Sequence, residues 1–395
     1  MKYVVIIPEG ASDLPQHDLE GQTPLQAAFT PTFDWIAGEG KVGLVDTCSR
    51  RFGVDPGASL LSVLGVDPAD CYTGFAPLEA AGLDIKTGPD DWVYRCNLVT
   101  IINGIMEDYC AGHISSTESA TLIGAYRDSL SGTGIGVYNG RSYRNLLVIP
   151  GDLGVTTVAP ETLVGEPIAN FLPKGEGAQV LTTLMDRARE LFAMSEINAV
   201  RADLGENVAT DIWLWGQGQT PKLPAFSELF SVSAAIIADT DMPRGLGKLM
   251  GIASPVVNGA TGYINTNYSA ICDQAMLALD SHDLVIVHVQ APAEASLNAD
   301  ALGKTQAIEK IDQIIAAPLL ERLKLYGENW RMMVLPTHSA DSFSQQYTKA
   351  PVPFAIAGKR VETLLSGEFE EESAQESDLH VQNGHSMMEY LLTVR

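Results

Sequence analysis

The sequence predicts an α/β protein whose mostly parallel sheet is flanked by helices, with a second α/β domain inserted into the first. Three observations carry this. Short β-branched runs recur along the chain, several apolar at nearly every position, as strands covered by helices on both faces require. Longer segments with apolar residues at helical spacing alternate with them. Polar, Gly- and Pro-bearing stretches near 67–74 and 217–224 bracket a middle segment, which is how an inserted domain appears in a sequence.

The elements follow in order. Residues 3–7 form a first strand; they are too short for a signal h-region and no cleavage site follows. Further strands are expected at 42–45, 146–149, Ala234–Ala238, Leu284–Val289, 332–335 and 353–357. Helices are expected at 116–130, which opens with Ser/Thr caps, and at 177–193, 267–279 and 304–325. The predicted division is 1–72 with 229–395 as the core and 73–228 as the insertion. Trp213 and Trp215 are expected to pack in a core or a domain interface. The acidic stretch 368–378 is expected to be a solvated face.

Composition narrows the function classes. The chain has 395 residues, 46% of them hydrophobic, and a formal net charge of −24. No basic stripe is available for a phosphate backbone or an anionic membrane surface, so no nucleic-acid or membrane partner is expected. An anionic ligand would need a local positive pocket against the global field. No apolar run reaches a membrane-spanning length of ~18 residues. Five cysteines without a CxxC pair predict reduced thiols and a cytoplasmic location.

In open α/β sheets, ligands sit beyond the carboxyl ends of the strands. The residues there are Glu9, Ser12 and Asp13 after the first strand, then Gln290 to Leu297, then Thr337-His338-Ser339 with Asp341, and Tyr347 further on. Asp55-Pro56-Gly57-Ala58-Ser59 precedes a helical run and offers a candidate nucleophile, Ser59.

Motifs spread over nearly the whole length now carry a resemblance. They are Gly21-Gln22-Thr23-Pro24-Leu25, Tyr72-Thr73-Gly74, Tyr94-Arg95-Cys96-Asn97-Leu98, Ala111-Gly112-His113-Ile114-Ser115, Arg244-Gly245-Leu246-Gly247-Lys248, Gly259-Ala260-Thr261-Gly262-Tyr263 and Pro351-Val352-Pro353-Phe354. The chain resembles the archaeal type of cofactor-independent phosphoglycerate mutase, in the alkaline phosphatase superfamily. The resemblance implies a metal-binding core interrupted by a substrate-binding domain. It also implies two divalent ions, Mn or Mg, flanking a serine that takes a phosphoryl group and returns it.

Carried over residue by residue, the metal side is mostly substituted. The family's first aspartate falls on Glu9, its next Asp and His on Ala293 and Leu297, its Asp-His pair on Thr337 and His338, and its last histidine on Tyr347. Glu9 and His338 are thus the remnant metal ligands. The nucleophile is either lost to Ala58 or taken over by Ser59. An expected arginine is Phe75 and an expected lysine is Ile271. The substrate side is kept: Arg95, His113, Arg244 and Lys248 match positions that resemble phosphate or carboxylate contacts.

Plainer readings stand beside these. His338 is expected to be hydrogen-bonded locally, Ser59 to be an N-cap, and Arg95 or Arg244 to be a structural ion pair. A rearranged metal site would draw on Glu9, Glu294, His338 and Asp341. The expected function is that of a degenerate homologue that binds a small phosphorylated or carboxylate anion, with no cofactor. The alternative is an active mutase, or a related phosphotransferase such as a homoserine kinase-like enzyme, with a rearranged site.

Overall fold

The computed structural model describes residues 1–363 and 367–393. The chain forms two compact units, Met1–Tyr72 with Lys222–Arg395, and Thr73–Pro221. The second crossing lies at 221/222 rather than 228/229. The reason is Phe226, which is buried and donates its N–H to Met250 O at 2.9 Å, within the first unit.

Along the chain, the first unit opens with β1 (Lys2–Pro8), α1 (Pro31–Glu39), β2 (Lys41–Val45) and α2 (Pro56–Val63). The second unit contributes β3 (Asp91–Ile102), β4 (Ile105–Asp108), α3 (Ser116–Ser129), β5 (Gly136–Arg141), β6 (Arg144–Pro150), α4 (Ala178–Phe192) and β7 (Asp211–Gly218). The first unit resumes with β8 (Ala234–Ala238), α5 (Asp241–Leu249), α6 (Tyr268–Ser281), β9 (Leu284–Val289), α7 (Ala291–Leu297), α8 (Ala301–Lys310) and α9 (Ala317–Lys324). It ends with β10 (Trp330–Val334), β11 (Val352–Gly358) and β12 (His380–Val381).

The first unit is built on a seven-stranded sheet of order β8-β9-β1-β10-β11-β2-β12. Within it β11 alone runs against its neighbours. Strand β1 lies between β9 and β10, parallel to both, with Ile7 opposite His288 and Val4 opposite Met332. Its inner positions have no solvent exposure because helices cover the sheet: Val4 and Ile6 share a cluster with Phe33, Ile36, Ile271, Ile308 and Leu319. Each such side chain contributes roughly 1.5–3 kcal/mol relative to leaving it exposed. This arrangement places the carboxyl ends of β1, β8, β9 and β10 at one edge, where polar residues collect.

The helix expected over 304–325 is not uniform. A π-helical segment, Ile311–Ala316, separates α8 from α9. Pro318 explains it: proline cannot donate to the i−4 carbonyl and its ring crowds that carbonyl, so the preceding turn widens. The wide turn carries Asp312, whose carboxylate accepts the N–H groups of Thr32 at 3.2 Å and Phe33 at 2.8 Å. It thereby caps α1, whose own N-cap residue Thr30 makes no side-chain cap.

The second unit is built on an antiparallel sheet of order β4-β3-β6-β5, with β7 pairing β3. Its centre is the long β3, and α3 opens with a reciprocal capping box between Ser115 and Glu118. Trp213 is buried in this unit, with its indole N–H on Val158 O at 2.8 Å. Glu371, in the acidic stretch expected to be solvated, instead accepts the N–H of Asp13 at 3.0 Å and the hydroxyl of Thr23 at 2.7 Å.

Burial pushes the Asp312 carboxyl up to about 6. A raised acid pKa means that the folded state binds the proton more tightly than the unfolded state, so this group's contribution falls as pH rises from about 4 to about 6. Asp312→Asn should therefore gain stability relative to the parent across that window, by up to about 3 kcal/mol above it. Urea unfolding at a series of pH values checks this; a gap that does not widen with pH would show that burial of the charge is not what Asp312 contributes.

Candidate functional site

Glu9 follows β1 directly, and its N–H donates to Val289 O at 2.9 Å, so it sits beside the end of β9. His288, near the end of β9, sets Nε2 against Glu9 Oε2. His338 Nδ1 lies 3.4 Å from Glu9 Oε1 and 3.1 Å from Thr337 Oγ1. The Tyr347 ring meets the His338 ring edge-on at 4.5 Å. Glu9, His288 and His338 are 2%, 1% and 0% exposed, so the cluster is closed to bulk water.

Electrostatics fixes its charges. Burial pushes the Glu9 carboxyl up, but the charge and hydrogen bond of His288 outweigh it and hold the group below its ordinary value. Burial opposes a charged His288, but Glu9 more than compensates, and its pKa is raised. For His338 burial wins over Glu9, and its pKa is lowered. These directions favour an ion pair of Glu9 with His288 beside a His338 that resists protonation. His288 Nδ1 and His338 Nε2 have no hydrogen-bond partner.

Ser59 is neither a nucleophile on display nor a cap. It lies inside α2 with no exposure, and its hydroxyl points to Cys48 Sγ at 3.9 Å. The cap is Asp55, which accepts the N–H of Ala58 at 3.0 Å. The helix begins at Pro56, and Pro at the first helical position fits the register with Asp55 as cap.

The four anion candidates divide between the units. Arg244 lies on α5, 6% exposed, with Nη1 on Asp241 Oδ1 at 2.7 Å and with Nε unpartnered. Thr240, the residue before α5, has a buried hydroxyl without a partner. Residues 240, 244 and 248 follow one another at single-turn spacing, so Lys248 continues the same stripe. In the second unit, Arg95 is committed elsewhere. Its Nε lies 3.1 Å from Glu79 Oε2, and its guanidinium sits 5.1 Å from the ring centres of both Phe75 and Trp215. That is a buried structural pair with two cation–π contacts rather than a clamp held open for a ligand. His113 is exposed, with left-handed backbone at φ 50°.

Comparison with known proteins decides the family. The family model described as 2,3-bisphosphoglycerate-independent phosphoglycerate mutase matches residues 37–198. A protein of that name from Methanothrix thermoacetophila is 40% identical over 394 residues, spanning 99% of this chain and 100% of that protein. The chain belongs to the 2,3-bisphosphoglycerate-independent phosphoglycerate mutase family. A relative from Methanosarcina mazei with the same name is 38% identical over 96% of each chain. Among solved structures, a Pyrococcus horikoshii protein shares the fold with a TM-score of 0.79, at 24% identity over 99% of this chain and 96% of that chain. The cofactor-independent phosphoglycerate mutase of Thermoplasma acidophilum aligns over 99% of both chains, with a TM-score of 0.58 and 25% identity.

A two-ion centre of the kind this family implies needs several carboxylates and imidazoles converging with free donor atoms. In this mutase-family chain, both Glu9 oxygens face imidazoles, and positions 293, 297, 337 and 347 hold Ala, Leu, Thr and Tyr. Asp341 accepts from Phe343 N at 3.0 Å and Ser344 Oγ at 2.6 Å, and Glu294 from Gln290 Nε2 at 3.3 Å. Among the described residues no three His, Cys, Asp or Glu side chains are grouped to hold an ion. This donor set does not fit a two-metal centre. Position 293 is also closely packed: a Cβ at Gly10, whose φ is +66°, would lie 2.8 Å from Ala293 Cβ.

Sequence reasoning missed His288 because it sits within an apolar strand run; a lone ionisable residue in a buried strand was the available signal. It also missed Thr240. Because Arg95 and Glu79 are both buried, Glu79→Gln should leave an uncompensated guanidinium and destabilise the protein by about 3 kcal/mol. Urea denaturation measures it, and a loss below about 0.5 kcal/mol would return Arg95 to the pool of available anion ligands.

Proposed function

We propose that this member of the phosphoglycerate mutase family binds a small phosphorylated or carboxylate anion and does not carry out two-metal phosphoryl transfer through a serine. The observation that carries this is the enclosure of Glu9. The one carboxylate kept at the end of β1 is ion-paired with His288 and faces His338, while Ser59 is buried against a thiol. Anion binding is supported by Arg244 and Thr240, whose buried donors at the end of β8 lack partners. A buried guanidinium N–H gains most from an anionic acceptor. The natural candidate is a phosphoglycerate, which the names of the relatives imply. A cytoplasmic location is in keeping with five free thiols and with the absence, among the described residues, of any helix long and apolar enough to cross a membrane.

One observation favours a second reading. Glu9, His288 and His338 do meet, and a mutase working from that rearranged cluster is the alternative. Metal analysis of the purified protein, with a coupled 3-phosphoglycerate assay in excess Mn²⁺, separates the two. The first reading expects no turnover and no stoichiometric metal; turnover with bound metal would establish the second. In the same preparation, 3-phosphoglycerate at a hundredfold excess over its Kd should raise Tm by about 5 °C. Arg244→Met should abolish that shift, and an undiminished shift would move the anion site away from α5.

A further inference from the structure

Lys304, on α8, has no solvent exposure. Its Nζ donates to Asp13 Oδ2 at 2.8 Å, to the Ala340 carbonyl at 2.7 Å and to the Ser12 carbonyl at 3.4 Å. Two of these partners are backbone carbonyls, which only accept, and Asp13 accepts as well. Three acceptors require three N–H donors, and only the charged ammonium has them. Burial draws the Lys304 pKa down, with Asp13 opposing it.

One carboxylate and two carbonyls are the donor chemistry of a hard-cation site. Asp13 is itself held in place, accepting from Ser342 Oγ at 2.7 Å, Leu14 N at 2.7 Å and Gln16 Nε2 at 3.0 Å. The cage reaches α7 as well, through Ser296, whose Oγ lies 3.4 Å from Ala340 O and 3.3 Å from Ser342 Oγ. The loop after β1 and the segment after β10 therefore meet at this one nitrogen, and helix α7 joins them one hydrogen bond away through Ser296. They are the segments that carry Glu9, then Ala293 and Leu297, then Thr337 and His338.

We propose that Lys304 is a built-in cation that positions the three strand-end segments without any bound ion, and that truncating it turns its oxygen cage into a binding site for a small primary ammonium ion. The role is positioning, not catalytic, and it is independent of whether the protein binds an anion at α5.

The test is chemical rescue of the full-length chain. Lys304→Ala removes three methylenes and the ammonium, which are the atoms of n-propylammonium. The variant should lose roughly 5–15 °C of Tm, because it leaves a buried carboxylate uncompensated. Propylammonium chloride should then restore part of that loss saturably, while tetramethylammonium chloride at equal ionic strength should not, and the parent should respond to neither. A recovery no larger than that given by tetramethylammonium would overturn the proposal. If Lys304→Ala does not fold, a double-mutant cycle of Lys304→Met and Asp13→Asn decides. The double variant should be less destabilised than the sum of the singles, and strict additivity would overturn the proposal. In Lys304→Met, amide exchange should accelerate at residues 10–16 and 337–345 and remain unchanged in β8. A uniform change would reduce Lys304 to a general stability residue.

Discussion

A carboxylate buried at the end of the central strand of a sheet needs partners inside the protein, and here the Glu9 carboxylate meets the His288 imidazole, which raises the imidazole's affinity for a proton. The pairing follows from the strand order. Because β1 lies between β9 and β10, with Ile7 opposite His288, the residue after β1 emerges against the end of β9 on one side and the segment carrying His338 on the other. Burial holds the His338 pKa down, and the Tyr347 ring packs edge-on against the His338 ring, so the cluster is enclosed by its own side chains. A methylene more in Glu9 than in aspartate gives the carboxylate the reach for that contact.

The same rule governs several other buried charges. Lys304 is met by Asp13 and two carbonyls, Arg95 by Glu79 and two aromatic rings, and Arg201 by Glu118 at 3.1 Å and the Ala111 carbonyl at 3.0 Å. In each case the chain supplies the counter-charge, which is what makes an ionised group acceptable in a low-dielectric interior. At Arg244, Asp241 takes one nitrogen while Nε stays without a hydrogen bond, and the Thr240 hydroxyl four residues earlier is also buried without a partner. Against a net charge of −24, such a local donor cluster is the kind of feature that an anion could use.

Family membership and chemistry rest on different parts of the chain. Similarity over nearly the full length secures the family. Reactivity rests on a handful of atoms at the strand ends, and these can change without disturbing the scaffold. Ala293 packed against Gly10 and Ser59 buried with its hydroxyl toward Cys48 both sit in well-formed elements.

Much was legible from the residues alone. The apolar runs marked strands of both units because covered strands need β-branched residues at every position, and the motif order marked the family. The residue types at 293, 297, 337 and 347, which are Ala, Leu, Thr and Tyr, are likewise read directly from the chain. Strand β3 was harder, because Arg95, Asn97 and Thr100 interrupt its apolar pattern, and their polar groups find partners only in the folded unit. What side chains do with their charge depends on neighbours hundreds of residues away. Glu9 against His288, Lys304 against Asp13, and Arg95 between Phe75 and Trp215 are set by strand order and packing. The sequence determined which donors and acceptors this protein owns; only the tertiary structure decided which of them are already spent on each other, because burial makes an unpaired charge too costly to leave alone.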